Sequence, residues 1–499
     1  MGTFLARFAE IAHDDPRRPL VHLPDAGHSL SASDIWRAHQ TYVDRLAGIG
    51  VGAGSLVLSA LGNRAAAAPL LLACRALEAA WLPVDAGATP AEVDALASRF
   101  GAAAIVIPGA IATASQPADS MSPLGAGEDL RVVARAANTR RYRGTAVLKL
   151  TSGSTGTPRG ALTAETQLVA DCTRIVAAMD IRAGDTQIAA IPLSHSYGLG
   201  NLLLPLLLQG TSIVLRDGFV PHQAAADARR FSARVFPGVP FMFQYFLDNP
   251  PTDGWPPVLR RLISAGAPLA PEIVRAFRDR FGVKIHTFYG ASETGGIAFD
   301  ADDEIDDSGT VGHPLPGVTI SLREPAINPQ SAIANQSAIR NPQSPRRVHV
   351  RSDAVSLGYS EPVEGGFVDG GFLTGDYGAW DARGRLILRG RASSFVNVAG
   401  RKVEPDEVEQ VLRAMPGIAD VRIVAAPDRR RGQQIVACIV RNAPAYELTT
   451  VGIRRYCAAR LAPYKIPRTI VFVDAIPRTA RGKIDRAKLD AVVRAHVRA

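Results

Sequence analysis

Thr145-Ala-Val-Leu-Lys-Leu-Thr-Ser-Gly-Ser-Thr-Gly-Thr-Pro-Arg-Gly160 passes from a short apolar strand, residues 145–150, into a loop of Gly, Ser and Thr, and residues 164–179 after it read as a helix. Alternation of this kind predicts a parallel sheet covered by helices on both faces, and ligands of such sheets sit at the carboxyl ends of the strands. Outward from the loop, residues 55–61, 103–107, 188–191 and 212–215 are further β-rich apolar runs between helical patterns. After about residue 310 the texture changes to short strands and turns, and 318–322 is expected to pair with 347–351 in a small β-subdomain. From residue 391 onward the pattern is that of a small α+β domain. Glu404-Pro-Asp-Glu-Val-Glu409 opens a helix with proline in its first turn and carboxylates where the helix dipole favours them, and Val408, Val411 and Leu412 give it an apolar stripe. Strands at 421–425 and 434–440, a helix at 450–461 and a strand at 468–473 complete it. The expected fold class is therefore α/β. A large N-terminal domain, 1–390, holds doubly wound α/β subdomains and the small β-subdomain, and a small α+β C-terminal domain, 391–499, follows.

Bulk properties narrow the function classes. The 499 residues are 47% hydrophobic and 21% charged, an ordinary globular composition for two to four folding units. The net charge of +9 admits anionic partners, but the arginines are scattered and not interleaved with aromatics, so no nucleic-acid partner is expected. Cys74, Cys172, Cys438 and Cys457 form no Cys-x-x-Cys pair, which argues against zinc or a disulfide framework and fits a reduced, cytoplasmic setting. Met1-Gly-Thr-Phe-Leu-Ala6 lacks a basic region followed by an apolar core, and Ala6 stands where a myristoylation signal needs Ser or Thr. The leucine-rich run 202–208, interrupted by Pro205, is too short to span a bilayer and reads as a buried helix, so no transmembrane segment is expected. Residues 326–344 are an imperfect repeat, Ala326-Ile-Asn-Pro-Gln-Ser331, Ala332-Ile-Ala-Asn-Gln-Ser337 and Ala338-Ile-Arg-Asn-Pro-Gln-Ser344, whose composition reads as a disordered surface loop.

The loop from Thr151 to Gly160 has the composition of a phosphate cradle, because glycines let backbone amides approach oxygens closely and hydroxyls add donors. It does not match Gly-x-x-x-x-Gly-Lys-Ser/Thr, and a flexible Ser/Gly turn is the bland alternative. Further strings follow: Ile191-Pro-Leu-Ser-His-Ser-Tyr-Gly198, Tyr289-Gly-Ala-Ser-Glu-Thr294, Leu373-Thr-Gly-Asp-Tyr-Gly378, Arg389-Gly-Arg391, Asn397-Val-Ala-Gly-Arg-Lys-Val403 and Pro477-Arg-Thr-Ala-Arg-Gly-Lys-Ile-Asp-Arg486. Alone, Glu293 is a solvated loop acid, Asp376 a Gly-Asp turn, His195 a structural histidine and Lys483 a solvated lysine. Together and in this order, over nearly the whole chain, the strings resemble the adenylate-forming superfamily of AMP-forming acyl- and aryl-CoA synthetases, with its carrier-loading and luciferase branches.

The resemblance implies ATP, Mg2+ and CoA as cofactors and a small carboxylic acid as substrate. Thr151, Ser152, Gly153, Ser154, Thr155, Gly156, Thr157 and Arg159 would hold the phosphates, with Arg159 replacing the usual lysine. Tyr289 would flank adenine with Gly290 beside it in the nucleotide site, Thr294 would meet the α-phosphate, Asp376 would accept from both ribose hydroxyls, and Arg391 would reach the ribose or phosphate. Glu293 and Thr155 are the implied magnesium positions, and with Lys483 the implied catalytic ones. Lys483 would stabilise charge as a carboxylate attacks the α-phosphate. In the family the C-terminal domain is mobile and turns about a hinge, at Ser393 here, to bring Gly400 and Lys402 towards the pantetheine arm of CoA. His195, Tyr197, Phe241, Gly266, Ala267 and Ala291 would line the acid pocket. Its aromatic, aliphatic and small residues imply a fatty or aryl acid, with no carboxylate to receive an α-amino group. Two alternatives stay open: transfer to an acyl carrier protein in trans, and a nucleotide-binding homologue without turnover.

Overall fold

The computed structural model describes residues 2–109, 121–123, 129–136, 140–151, 158–305, 308–324, 346–362, 366–391, 396–428, 430–442, 448–477 and 486–497. The sequence expectations for the loop residues 152–157, the repeat 326–344, Ser393 and Lys483 lie outside them. The chain forms two compact units, one of Met1–Ser33, Ala161–Gly238 and Pro250–Ser393, the other of Asp34–Gly160, Val239–Asn249 and Ser394–Ala499.

In the first unit a nine-stranded sheet runs in the order His313–Pro314, Gly295–Phe299, Ile285–Ala291, Arg261–Ser264, Val235–Gly238, Thr186–Ala189, Ser212–Leu215, Pro19–Leu23, His28–Ser31. Its middle is parallel and only the edge strands turn antiparallel. Parallel strands need crossovers, which place helices over both faces, so strands such as Ser212–Leu215 and Val235–Gly238 are buried along their whole length. The run expected as a buried helix at 202–208 is one: a π turn, Leu199–Leu203, passes without a break into an α-helix, Leu204–Gln209, with Leu202, Leu203, Leu204, Leu206 and Leu207 buried. Pro205, which has no N–H to donate, stands where the π turn passes into the α-helix. A five-stranded sheet pairs Thr319–Arg323 with Arg346–Arg351 and continues to Gly371–Trp380, where Phe367–Val368 and Leu386–Arg391 join. This is the β-subdomain expected from the sequence, in the expected pairing.

In the second unit Val147–Thr151, Ala80–Pro83, Leu56–Ser59 and Ala104–Pro108 are parallel neighbours, extended by the antiparallel Leu130–Ala134 and Met121–Pro123. Trp81, fully buried at its centre, keeps its indole N–H satisfied by the Ser59 hydroxyl at 2.9 Å. The flanking helix Pro90–Phe100 starts with a capping box: Thr89 Oγ1 accepts from the Glu92 N–H at 3.2 Å, and Glu92 Oε2 accepts from the Thr89 N–H at 2.8 Å. The same unit contains a second sheet of Arg401–Val403, Val396–Val398, Gly432–Arg441, Ile418–Asp428 and Thr469–Phe472. Helices Pro405–Arg413 and Thr450–Ala458 bury Val408, Leu412 and Ile453 on one side of it, and Arg486–His496 buries Leu489 and Val493 on the other.

All four cysteines are buried and free. Burial pushes the Cys74 thiol up to about 12 and those of Cys438 and Cys457 up to about 11, and raises Cys172 as well. No helix among the described residues is long and apolar enough to cross a membrane.

Candidate active site

Val147–Thr151 delivers the Gly/Ser/Thr loop at a strand's carboxyl end, as the sequence implies, but the loop does not lead into a helix. A strand, Arg159–Thr163, comes first, and the helix begins only at Glu165. The strand exists because Ala161 and Leu162 pair antiparallel with Tyr359 and Gly358, and the Thr163 and Ser356 hydroxyls meet at 3.0 Å. At the start of that helix the Ala164 N–H donates to Gln167 Oε1 at 2.7 Å, and the Glu165 carboxylate accepts from the Phe4 N–H at 2.7 Å, at the start of the helix Thr3–Asp14. Thr151 and Arg159 stand half-buried at the loop's two ends.

Tyr289, Gly290 and Ala291 close the strand Ile285–Ala291 in the nine-stranded sheet. The buried Tyr289 hydroxyl donates to Asp376 Oδ2 at 2.8 Å, bringing the implied adenine and ribose residues into contact. Asp376 is fixed in turn: its N–H donates to Thr374 Oγ1 at 3.1 Å, whose hydroxyl donates to the Val348 carbonyl at 3.0 Å. Arg391 lies directly opposite Asp376 in the pair formed by Gly371–Trp380 and Leu386–Arg391. A carboxylate at 6% exposure, held on a polar network of Tyr289 and Thr374, is an acceptor set in place before any ligand arrives.

The turn after Ala291 carries Glu293 and the fully buried Thr294, whose hydroxyl donates to the Gly295 carbonyl at 3.1 Å. Tyr359, which the sequence reading did not single out, donates its hydroxyl to Glu293 Oε1 at 2.8 Å, and the Ser356 N–H donates to the Glu293 carbonyl at 2.8 Å. Asp171 was missed too. It accepts from the Gly296 N–H at 2.8 Å, and a Cβ on Gly295, at φ +71°, would stand 2.3 Å from its carboxylate. The one sequence signal for Asp171 is an acid on the buried face of the helix Glu165–Ala178.

The acid-pocket candidates of this unit share one edge of the sheet. His195 follows the strand Thr186–Ala189, Gly266 and Ala267 follow Arg261–Ser264, and Ala291 ends Ile285–Ala291. Tyr197 donates to the Ile263 carbonyl at 3.0 Å and packs on Phe288 with ring centroids 5.9 Å apart. Burial raises its pKa well above the usual phenol value, so it stays a neutral donor. Ser196 donates to Ser292 at 2.8 Å, tying the His195 segment to the Tyr289–Thr294 turn. The adjoining π turn, Leu199–Leu203, is a feature common at functional sites.

Phe241, Gly400 and Lys402 belong to the second unit. Phe241 lies in the helix Pro240–Asp248, just after Val239. Gly400 and Lys402 lie in the hairpin joining Val396–Val398 to Arg401–Val403. Gly400 has φ +82°, and a Cβ there would approach Val239 Cγ1 to 2.9 Å, so only glycine fits this approach without displacing Val239.

Comparison with known proteins matches this arrangement. Residues 8–359 match the model of the AMP-binding enzyme family, and residues 407–483 match that of the AMP-binding enzyme C-terminal domain. The sulfoacetate–CoA ligase of Cupriavidus necator is 28% identical over 98% of this chain and 97% of its own. The 2-succinylbenzoate–CoA ligase of Enterococcus faecalis is 31% identical over 68% of each. In fold, the chain resembles o-succinylbenzoate CoA synthetase from Bacillus subtilis, solved with a product analogue, at a TM-score of 0.83 and 22% identity over 98% of both chains. With the motif strings in order, the Tyr289–Asp376 contact formed and a family match across most of its length, this chain belongs to the AMP-binding enzyme family.

Proposed function

We propose that the chain is an AMP-forming carboxylate–CoA ligase acting on a small organic acid, with a mobile C-terminal domain at 391–499. The observation that carries this reading is the Asp376 carboxylate, buried and held by Tyr289 at 2.8 Å beside the carboxyl ends of the parallel strands. A carboxylate so placed accepts hydrogen bonds from two vicinal hydroxyls of a ribose, and the neighbouring tyrosine ring offers a face for adenine.

In the first half-reaction a carboxylate oxygen of the acid attacks the α-phosphorus of ATP, the acyl-adenylate forms, and pyrophosphate leaves. In the second, the CoA sulfur attacks the acyl carbonyl and AMP departs. The chain contributes position and charge: the loop after Thr151 holds phosphate oxygens, Lys483 offsets charge gathering at phosphorus, and the His195, Tyr197 and Ala291 edge seats the acid. Among the described residues no three acids, histidines or cysteines gather as a metal cluster. Glu293 fits magnesium as a single carboxylate on a turn braced by Tyr359, and the nucleotide and water would supply most of the ion's oxygen ligands, as is usual for this cation.

Product analysis tests the reading. With ATP, magnesium and a panel of short, medium and long-chain, aryl and anionic acids, AMP and pyrophosphate should require one acid class, and acyl-CoA of matching mass should appear when CoA is added. Acid-dependent pyrophosphate exchange without acyl-CoA would favour a carrier-protein acceptor, and silence across the panel would contradict a ligase.

The repeat is expected to be dispensable. Arg323 and Arg347 are register partners in the strand pair that brackets residues 326–344, so the two strand ends already meet and a short linker can join them. Replacing 326–344 with two glycines should leave kcat/KM within about twofold, because a shorter loop changes closure entropy only slightly. A large loss would give the repeat a role.

A further inference from the structure

The second unit contains a charge cluster that the reaction described above does not use. Lys465, at the end of the 3-10 turn Pro463–Lys465, places its ammonium 2.6 Å from Glu407 Oε1 and 3.1 Å from Glu92 Oε1. The three side chains are only 15%, 23% and 16% exposed, so solvent screens them weakly. Burial would lower the Lys465 pKa, but Glu407, Tyr464 and Glu92 together outweigh it and keep the ammonium charged. Next to it, the Arg401 guanidinium lies over the Tyr464 ring, 4.7 Å from its centroid, and reaches Asp85 Oδ2 at 3.4 Å.

The two acids differ in where they come from. Glu407 is on the helix Pro405–Arg413, which packs on the same small sheet as Lys465, so that bond is internal to the C-terminal segment. Glu92 is on the helix Pro90–Phe100, from the N-terminal half of the chain, so its bond to Lys465 requires the C-terminal segment to be docked there. The Arg401–Asp85 pair has the same dependence. In this docked pose Gly400 rests on Val239, the residue before the helix that carries Phe241.

We propose that the Lys465–Glu92 ion pair is a positioning device that holds the 397–403 hairpin against the start of the 240–248 helix and thereby favours transfer of the acyl group to the thiol over formation of the adenylate. The inference rests on the ligase reading, which makes this hairpin the thiol-facing element. Lys465 touches no reacting atom and acts through the hairpin.

Glu92→Gln is the decisive variant. Glutamine can replace glutamate in a capping box, so the helix start survives, and Lys465 remains neutralised by Glu407, so no buried charge is stranded. The rate of thioester formation from supplied acyl-adenylate and CoA should fall about tenfold, as expected for losing about 1.4 kcal/mol from one charge-assisted hydrogen bond. Acid-dependent ATP–pyrophosphate exchange and the melting temperature should stay at wild-type levels. Lys465→Met should shift the ratio of the two half-reactions the same way, and Lys465→Arg should restore it. An equal loss in both half-reactions, or an unchanged ratio, overturns the inference while the ligase reading stands. A wild-type chain silent in both half-reactions overturns the two together.

Discussion

Lys483→Ala is expected to slow acyl-adenylate formation by roughly 10²- to 10³-fold, the usual consequence of removing one preorganised group that stabilises developing charge. The acid and the α-phosphate are both anionic, so their approach is repulsive, and a cation aimed at the transferred oxygens acts mainly in the transition state. Thioester formation has no such requirement, because a thiol attacks a carbonyl whose leaving group is already phosphorylated. The variant should therefore retain near wild-type thiolysis of supplied acyl-adenylate. Measuring ATP–pyrophosphate exchange and thiolysis separately decides the matter, and equal loss of both would remove the assigned role.

Asp376→Ala should raise KM for ATP by about 10- to 100-fold, since hydrogen bonds to a charged group contribute about 1.5–3 kcal/mol. Two effects combine in this number. The ribose loses its acceptor, and the buried Tyr289 hydroxyl loses its partner at 2.8 Å. Tyr289→Phe separates them, because it removes the donor and leaves the carboxylate. That variant should change KM for ATP only a few-fold, because the carboxylate that would meet the ribose hydroxyls stays in place on its Thr374 contact. Unchanged KM in Asp376→Ala, read by initial rates over a range of ATP, would mean the carboxylate serves the fold alone.

The parts of this molecule that were legible in its sequence are those encoded locally. Residues 212–215 are a short apolar run bounded by Gly210 and Asp217, and they form a strand with those bounds. The Tyr289–Thr294 turn and Asp376 were recognisable because each sits in a contiguous string. The strand Arg159–Thr163 was not, since Gly160 and Ala161 have little strand preference and the partner strand Gly358–Tyr359 is nearly two hundred residues away. For the same reason Tyr359 gave no sign that its hydroxyl would brace Glu293. Lys465 and Glu92 were likewise invisible, being 373 positions apart with nothing unusual around either. Pairings of this length are decided by tertiary packing, and no window of sequence contains both halves.

The chain's four thiols all lie in its interior with raised pKa values, so its surface offers no native nucleophilic sulfur. That makes the wild-type sequence a ready background for site-directed labelling. A cysteine introduced at Val451, 69% exposed on the helix Thr450–Ala458, would be the single reactive position for a maleimide dye. For the same reason a chromogenic disulfide reagent added to a turnover mixture would report the consumption of free CoA without a baseline from the protein.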